Sequence, residues 1–429
     1  MADQNLNQEQ HREEDFRRRP APRQRKKKHS AAPAVAIFVG ILMLAVILLV
    51  ITGIFGSHST DTVSTAQQEE GVVTIAAVGD IHMNEALMQA ARTDANDYDF
   101  SNSFLGVADV LVGSDITVGN LECSFAGPDS VDKEAWAPDS LAGTLSGLGF
   151  DVLQTANSYA ITGGLEGLTR SMEVVESAQM QPAGTSVSKK DYKENHGIVE
   201  VEANGMRVVF VAFTKGLNNM SLPEGTDYAV NLLYEDYDTN YSKIATDDIV
   251  EVMKAARQRN PDVLIALVHW GVEYEPSHSE TQEKIADLLI QEGADAIIGS
   301  HSHFVGALET RTAVTKDDEA RTALVAYDLG DFYSAPEKPG QQQSIVLQLE
   351  FTRDKRGNVT LTNSRYVPVY QVYNPDSNVA QYQVWDARLA MELYEQGYIR
   401  RVSREDYDAI AQAITEIAQA VNPETPEES

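Results

Sequence analysis

Cysteine is nearly absent: Cys123 is the only one in 429 residues, which excludes an intrachain disulfide and any cluster of thiolate metal ligands. Basic residues are scarce too. Against 64 Asp and Glu stand 34 Lys and Arg, a formal net charge of −30. Nine of those bases (Arg12, Arg17, Arg18, Arg19, Arg23, Arg25, Lys26, Lys27 and Lys28) crowd into residues 1–30 beside five acids. The remainder therefore carries 34 − 9 = 25 bases against 64 − 5 = 59 acids, a charge of −34. So acidic a body argues against nucleic acid as a partner, because phosphate backbones demand Lys and Arg. Residues 31–60 contain no Asp, Glu, Lys or Arg at all.

What fills that gap is Ile, Leu, Val and Ala. Residues 31–55 are long enough to cross a hydrocarbon core of about 30 Å at about 1.5 Å per residue, and they read as a single membrane span. The basic flank lies wholly on the N-terminal side, so the positive-inside rule puts residues 1–30 in the cytoplasm and the acidic body outside the cell. A cleaved signal peptide is the competing reading, but the basic region is too long and the apolar run exceeds an h-region of about 7–15 residues. Residues 56–70 are Ser-, Thr-, Gln- and Glu-rich, the composition of a solvated linker. The body, at 43% hydrophobic and 23% charged residues for the whole chain, has a globular composition. It is expected to comprise an ectodomain over 71–370 and a helical C-terminal extension and tail over 371–429.

Strand-like runs recur, each closing on polar side chains able to bind a metal. Residues 72–78 lead to Gly79-Asp80-Ile81-His82, 115–118 to Gly119-Asn120-Leu121-Glu122, and 150–155 to Ala156-Asn157-Ser158-Tyr159. Residues 263–268 end at His269-Trp270-Gly271, and Ala296-Ile297-Ile298 ends at Gly299-Ser300-His301-Ser302-His303. Helical spacing is expected between them, over 84–91, 165–178, 246–257 and 279–292, the last stopped by Gly293. Alternating strands and helices imply a largely parallel α/β sheet covered on both faces. After His303 the texture changes to short strands near 305–311, 323–327, 345–351 and 359–362, which read as a more antiparallel half. Helical spacing returns over 386–421.

Asp80, His82, Glu122, Asn157, His269, His301 and His303 thus form a set of N and O donors from five loops that a sheet would bring to one rim. The mixture suits one or two divalent cations of the Mn, Fe, Zn or Mg type, and the absence of thiolate argues against structural zinc. Two such ions polarise an oxygen and activate water, so the chemistry expected is hydrolysis. Other readings stand beside this. Asp80 and His82 could cap a turn, Glu122 could be a solvated rim residue, Asn157 could close an Asx-turn and His269 could sit in the core. Trp270, Glu273 and Tyr274 are expected to shape a substrate pocket, with Asn218 binding substrate polar groups. His196 and His278 read as surface residues.

The ordered blocks GDIH, GNLE, AN followed by Gly163, Gly164, Gly167 and Leu168, VHWGVEY, GSHSH and YDLGDF resemble the bacterial CapA family of capsule and poly-γ-glutamate biosynthesis, over about 71–335. That family is similar to the calcineurin-like metallophosphatases. The resemblance implies a four-layer α/β/β/α sandwich, a metal centre on the strand-end loops, an anionic surface polymer or its precursor as partner, and the proteins of a synthesis or export complex as further partners. It assigns Asp80 and His82, Asn157, His269, and His301 with His303 to successive metallophosphatase motifs.

Three departures stand out. Asn120 replaces the Asp that would bridge the metals, with Glu122 offered nearby. Tyr159 and Thr162 replace a His and an Asp, and Asp331 stands where Asn is usual. The missing histidine would stabilise or protonate the leaving group, and the catalytic set expected here is His82, Asn157 and Tyr159. Tyr159 can donate a proton, but with an ordinary pKa of about 10 it is a weaker acid at neutral pH.

Overall fold

The structure is a computed structural model that describes residues 70–423 apart from 94, 96, 126–134, 378–379 and 398–401. The expected membrane span and linker lie outside the described residues. Among the described residues no helix is long and apolar enough to cross a membrane.

In chain order the body begins β1 (Gly71–Ile81), α1 (Glu85–Ala91), α2 (Ala108–Val112), β2 (Ile116–Asn120), β3 (Ser124–Phe125), β4 (Trp136–Ala137), α3 (Asp139–Gly147), β5 (Val152–Gln154), α4 (Gly164–Ser177) and β6 (Gln181–Ala183). It continues with α5 (Lys189–Asn195), β7 (Val199–Ala203), β8 (Met206–Thr214), α6 (Thr246–Gln258), β9 (Val263–His269), α7 (Glu280–Gln291), β10 (Ala296–Ser300), β11 (Leu308–Val314) and β12 (Ala320–Ala326). The last part is β13 (Asp331–Tyr333), β14 (Gln343–Arg353), β15 (Val359–Tyr373), β16 (Tyr382–Asp386), α8 (Ala387–Glu395) and α9 (Arg404–Val421).

Two sheets result. The first runs β16-β15-β14-β1-β2-β5-β6 with β13 beside β1, and the second runs β11-β12-β10-β9-β8-β7. Within them β1, β2, β5 and β6 are parallel, as are β8, β9, β10 and β12. All seven residues of β9 are buried, the continuous apolar run that a central parallel strand covered on both faces requires. Val73, Ile75 and Ala77 of β1 meet Val208, Phe210 and Ile265 of the second sheet in one core. The alternate residues Ala76 and Val78 pack instead with Leu87, Leu141 and Val175 from helices. On the second sheet Val209, Val211 and Leu264 pack with Ile249, Val252, Ile285 and Leu289. The period-2 alternation of strands thus sends one set of side chains between the sheets and the other under helices.

The C-terminal half departs from the expected plan. Its antiparallel strands do not form one unit: β11 extends the second sheet, while β14, β15 and β16 extend the first. The expected boundary at residue 370 falls inside β15, which runs fifteen residues to Tyr373, and β16 follows it before any helix. The polar stretch Asn363-Ser364-Arg365 hid this strand. It lies exposed, so no apolar alternation marks it. The helical spacing over 386–421 resolves into α8 and α9, whose Ser403 cap and Asp406 close a capping box.

Candidate metal centre

Register places the polar side chains in two rows. On the first sheet Asp80 of β1 pairs with Asn120 of β2 on one side and Asp331 of β13 on the other, with irregular register at Asp80. On the second, His269 of β9 pairs with Thr214 of β8 and Ser300 of β10. Hydrogen bonds join the rows across the sheets. Asn120 Nδ2 lies 2.6 Å from Asp80 Oδ1 and 3.1 Å from His269 Nδ1, and the His301 N–H donates to Asp80 Oδ2 at 3.2 Å.

Past β10 the chain turns sharply. A Cβ on Gly299 would lie 2.0 Å from the Tyr327 carbonyl oxygen, so only glycine allows this approach. His301 (φ 109°) and His303 (φ 66°) then take left-handed backbone. Such non-glycine conformations cost about 1–3 kcal/mol each and concentrate at functional sites, where the surroundings enforce them. The result brings both rings to Glu122.

Glu122 is the hub. Only 1% exposed, it has His269 Nε2 at 3.2 Å, His82 Nδ1 at 3.6 Å and His303 Nδ1 at 3.9 Å. Two donor groups share it: Glu122 with His269 and His301, and Asp80 with Glu122 and His303, each with ligand atoms within 4.8 Å of one another. The solvated-rim alternative for Glu122 is thereby excluded. His82 Nδ1, Glu122 Oε2 and His301 Nδ1 are buried without hydrogen-bond partners among the described residues. Unpartnered polar atoms at this depth are costly unless something binds them, and buried imidazole and carboxylate are the donors a divalent cation takes. The residues therefore fit a metal.

Electrostatics reinforce this. Burial, with Glu122 and Asp328 nearby, pushes Asp80 up to about 8, a sign of negative charge packed too closely without a cation. Burial alone would raise Glu122, yet the imidazoles of His269 and His303 hold it well below the usual carboxylate range. Burial and the neighbouring His269 keep His301 well below the ordinary imidazole value, in the neutral form that ligates. Burial also opposes protonation of His303, but Asp331 at 2.8 Å outweighs it and raises that ring well above its usual value.

The other expected site residues divide. His82, 17% exposed, lies on the open side of the cluster, its ring centroid 5.5 Å from that of half-buried Tyr159. Asn157 is engaged at both ends of its amide: Nδ2 donates to the Leu121 carbonyl at 2.6 Å and to Asn120 Oδ1 at 3.1 Å, while Oδ1 accepts the Tyr159 N–H at 3.0 Å. It closes a turn and orients Asn120. Glu273 Oε1 reaches within 3.7 Å of His303 Nε2, and the Tyr274 ring lies 5.4 Å from that imidazole, so both border the cluster. Trp270 does not. It is 1% exposed, stacks on Tyr327 and donates its indole N–H to the Tyr327 carbonyl at 2.9 Å. Adjacent strand residues face opposite ways, so with His269 between the sheets Trp270 must point under the helices. Asn218 is exposed in the loop after β8, and no contact between it and the cluster is seen among the described residues.

Sequence reasoning passed over several supports. Ser158 Oγ and Ser300 Oγ lie 2.9 and 3.0 Å from the two nitrogens of His269. Asp331, noticed only as a departure, orients His303, and Asp328 accepts the backbone N–H groups of Ser302 and Gly330 at 2.7 and 2.8 Å. Their signal was present in the blocks that carried the ligands, but serine and aspartate beside a turn have too many local roles to single out. His278 is no plain surface residue either, since its ring stacks on Tyr327 at 3.7 Å.

Residues 74–336 match the family model described as bacterial capsule synthesis protein PGA_cap, and the chain belongs to that family. Among curated proteins it is similar to the capsule biosynthesis protein CapA of Bacillus anthracis, 26% identical over 68% of this chain and 66% of the relative. The chain thus spans just under two thirds of that relative's length. It is also similar to the PGA biosynthesis protein CapA of Bacillus subtilis, 23% identical over 72% of this chain and 74% of the relative. Among solved structures a putative 5′-nucleotidase from Staphylococcus aureus aligns with a TM-score of 0.44 at 13% identity, covering 76% of this chain and 58% of that one.

Proposed function

We propose that this chain is a membrane-anchored, extracytoplasmic protein of capsule or poly-γ-glutamate synthesis, and a metal-dependent hydrolase or transferase acting on a surface polymer or its precursor. The observation that carries the reading is the pair of buried donor groups sharing Glu122, in which Glu122 Oε2 and His301 Nδ1 have no hydrogen-bond partner among the described residues. Family membership supports the capsule role, and the charge asymmetry of residues 1–60 supports the anchor and its orientation.

Glu122, His269 and His301 would hold one ion, and Asp80, Glu122 and His303 a second, of the Mn, Fe, Zn or Mg type. Such ions supply Lewis-acid polarisation of an oxygen and a stronger water nucleophile near neutral pH. The chain's own residues do the rest. Asn120 and Ser300 fix the His269 ring, Asp331 fixes His303, and His82 with Tyr159 borders the open side where a proton can be passed to a leaving group. The full-length chain purified without chelator is expected to carry one or two divalent ions per molecule. The double variant His301→Ala, His303→Ala should lose them while remaining folded; metal-free, folded wild type would sink the proposal.

A second reading is a non-catalytic subunit that uses bound cations to hold or export an anionic polymer. Tyr159 and Thr162 standing in place of His and Asp favour it. Chelator-sensitive turnover of a phosphodiester or γ-glutamyl substrate would rule it out.

A further inference from the structure

Lys215 follows the last residue of β8, at the rim where His269 ends β9. Its backbone N–H donates to the His269 carbonyl at 2.8 Å. Its ammonium donates to the Gly271 carbonyl and lies 4.7 Å from the centroid of the Tyr241 ring. The post is rigid. A Cβ on neighbouring Gly216 would come within 2.8 Å of the Tyr241 ring and 3.1 Å of the Tyr237 carbonyl oxygen, so the aromatic wall is packed directly on the backbone.

Buried and half-buried cations elsewhere in this acidic body are matched by carboxylates: Arg311 by Asp287, Arg321 by Asp295 and Arg353 by Asp262, each at 2.6 Å. Among the described residues no carboxylate lies within 4.0 Å of the Lys215 ammonium. A prepositioned cation without a carboxylate, held on the rim beside His269 by the His269 and Gly271 carbonyls, is built for an anion that arrives with the substrate.

We propose that Lys215 is a specificity-determining residue that binds a second anionic group, carboxylate or phosphate, on a substrate whose reacting bond sits at the metal centre. This rests on the metal-centre reading above. The metal centre takes one anionic group and Lys215 the other, so the site prefers a ligand with two such groups over a ligand with one.

The test is calorimetric titration of the metal-loaded full-length chain with two probe pairs, phosphate against pyrophosphate and acetate against glutarate, after elemental analysis of metal content. Wild type should favour the second member of at least one pair. Lys215→Met should reduce that advantage about tenfold or more, leaving metal content and phosphate affinity unchanged. An advantage confined to pyrophosphate assigns phosphate as the second group, and one confined to glutarate assigns carboxylate; both support the proposal. Equal advantage in Lys215→Met and wild type, or no advantage in wild type, overturns it. Wild type without metal overturns the metal-centre reading and this inference with it. Should Lys215→Met lose metal, Lys215→Gln, closer in polarity, carries the same comparison.

Discussion

The two sheets bring different chemistry to a common rim. The first contributes chiefly carboxylate and amide through Asp80, Asn120, Glu122 and Asp331, while the second contributes imidazole through His269, His301 and His303. Neither set suffices. Each donor group takes carboxylate from the first sheet and imidazole from the second, so the centre exists only when the core between the sheets has formed. Binding of a metal by these groups would therefore be linked to sheet packing, and an ion at 100 times its Kd would stabilise the body by about 2.7 kcal/mol.

Removing the shared hub should break the division most severely. Glu122→Ala is expected to lower affinity for both ions by about 100-fold or more, whereas His301→Ala should weaken one ion more than the other; metal titration with elemental analysis separates these outcomes. A change one step behind the ligands should do less. Asp331→Asn keeps the shape but loses the charge that orients His303, and a fall of about 10- to 100-fold in metal affinity is expected.

Metal-free protein offers a third way to probe the pairing. Asp80 rises from its ordinary 3.8 to about 8 on folding, so the folded state binds the extra proton between those values. Its contribution to stability is full below about pH 4 and is lost as pH rises through about 8. His303, raised well above 6.5, acts in the same direction at higher pH. Denaturant melts of chelated protein should thus lose stability from pH 5 to 8, and saturating metal should flatten or reverse the trend. The smallest effect is expected on the helix side of the second sheet. Trp270→Phe should cost about 1 kcal/mol in stability through the lost bond to Tyr327, with metal content unchanged; loss of metal would place Trp270 back among the site residues.

Much of this site was legible because strand ends announce themselves. An apolar run closing on Asp or His, with a glycine within two residues of the run's end or just beyond it, marked Asp80, His269, His301 and His303, and the structure joins all four in the two donor groups. Trp270 was misplaced because a motif fixes adjacency in sequence but not the face on which a residue emerges. The long β15 escaped because its exposed polar residues break the alternation on which strand recognition rests.

The sequence by itself determined the acidic body, the uncharged stretch from 31 to 60, the alternation of strands with helices, and the residue types available for a metal, because these are local properties of composition and period. Only the tertiary structure decided that Glu122 lies between the histidines, that Asn157 serves a turn, and that Lys215 stands beside His269 without a carboxylate partner among the described residues. Those relations depend on the register of neighbouring strands and on how two sheets pack, and residues 31 to 221 positions apart in the chain meet there.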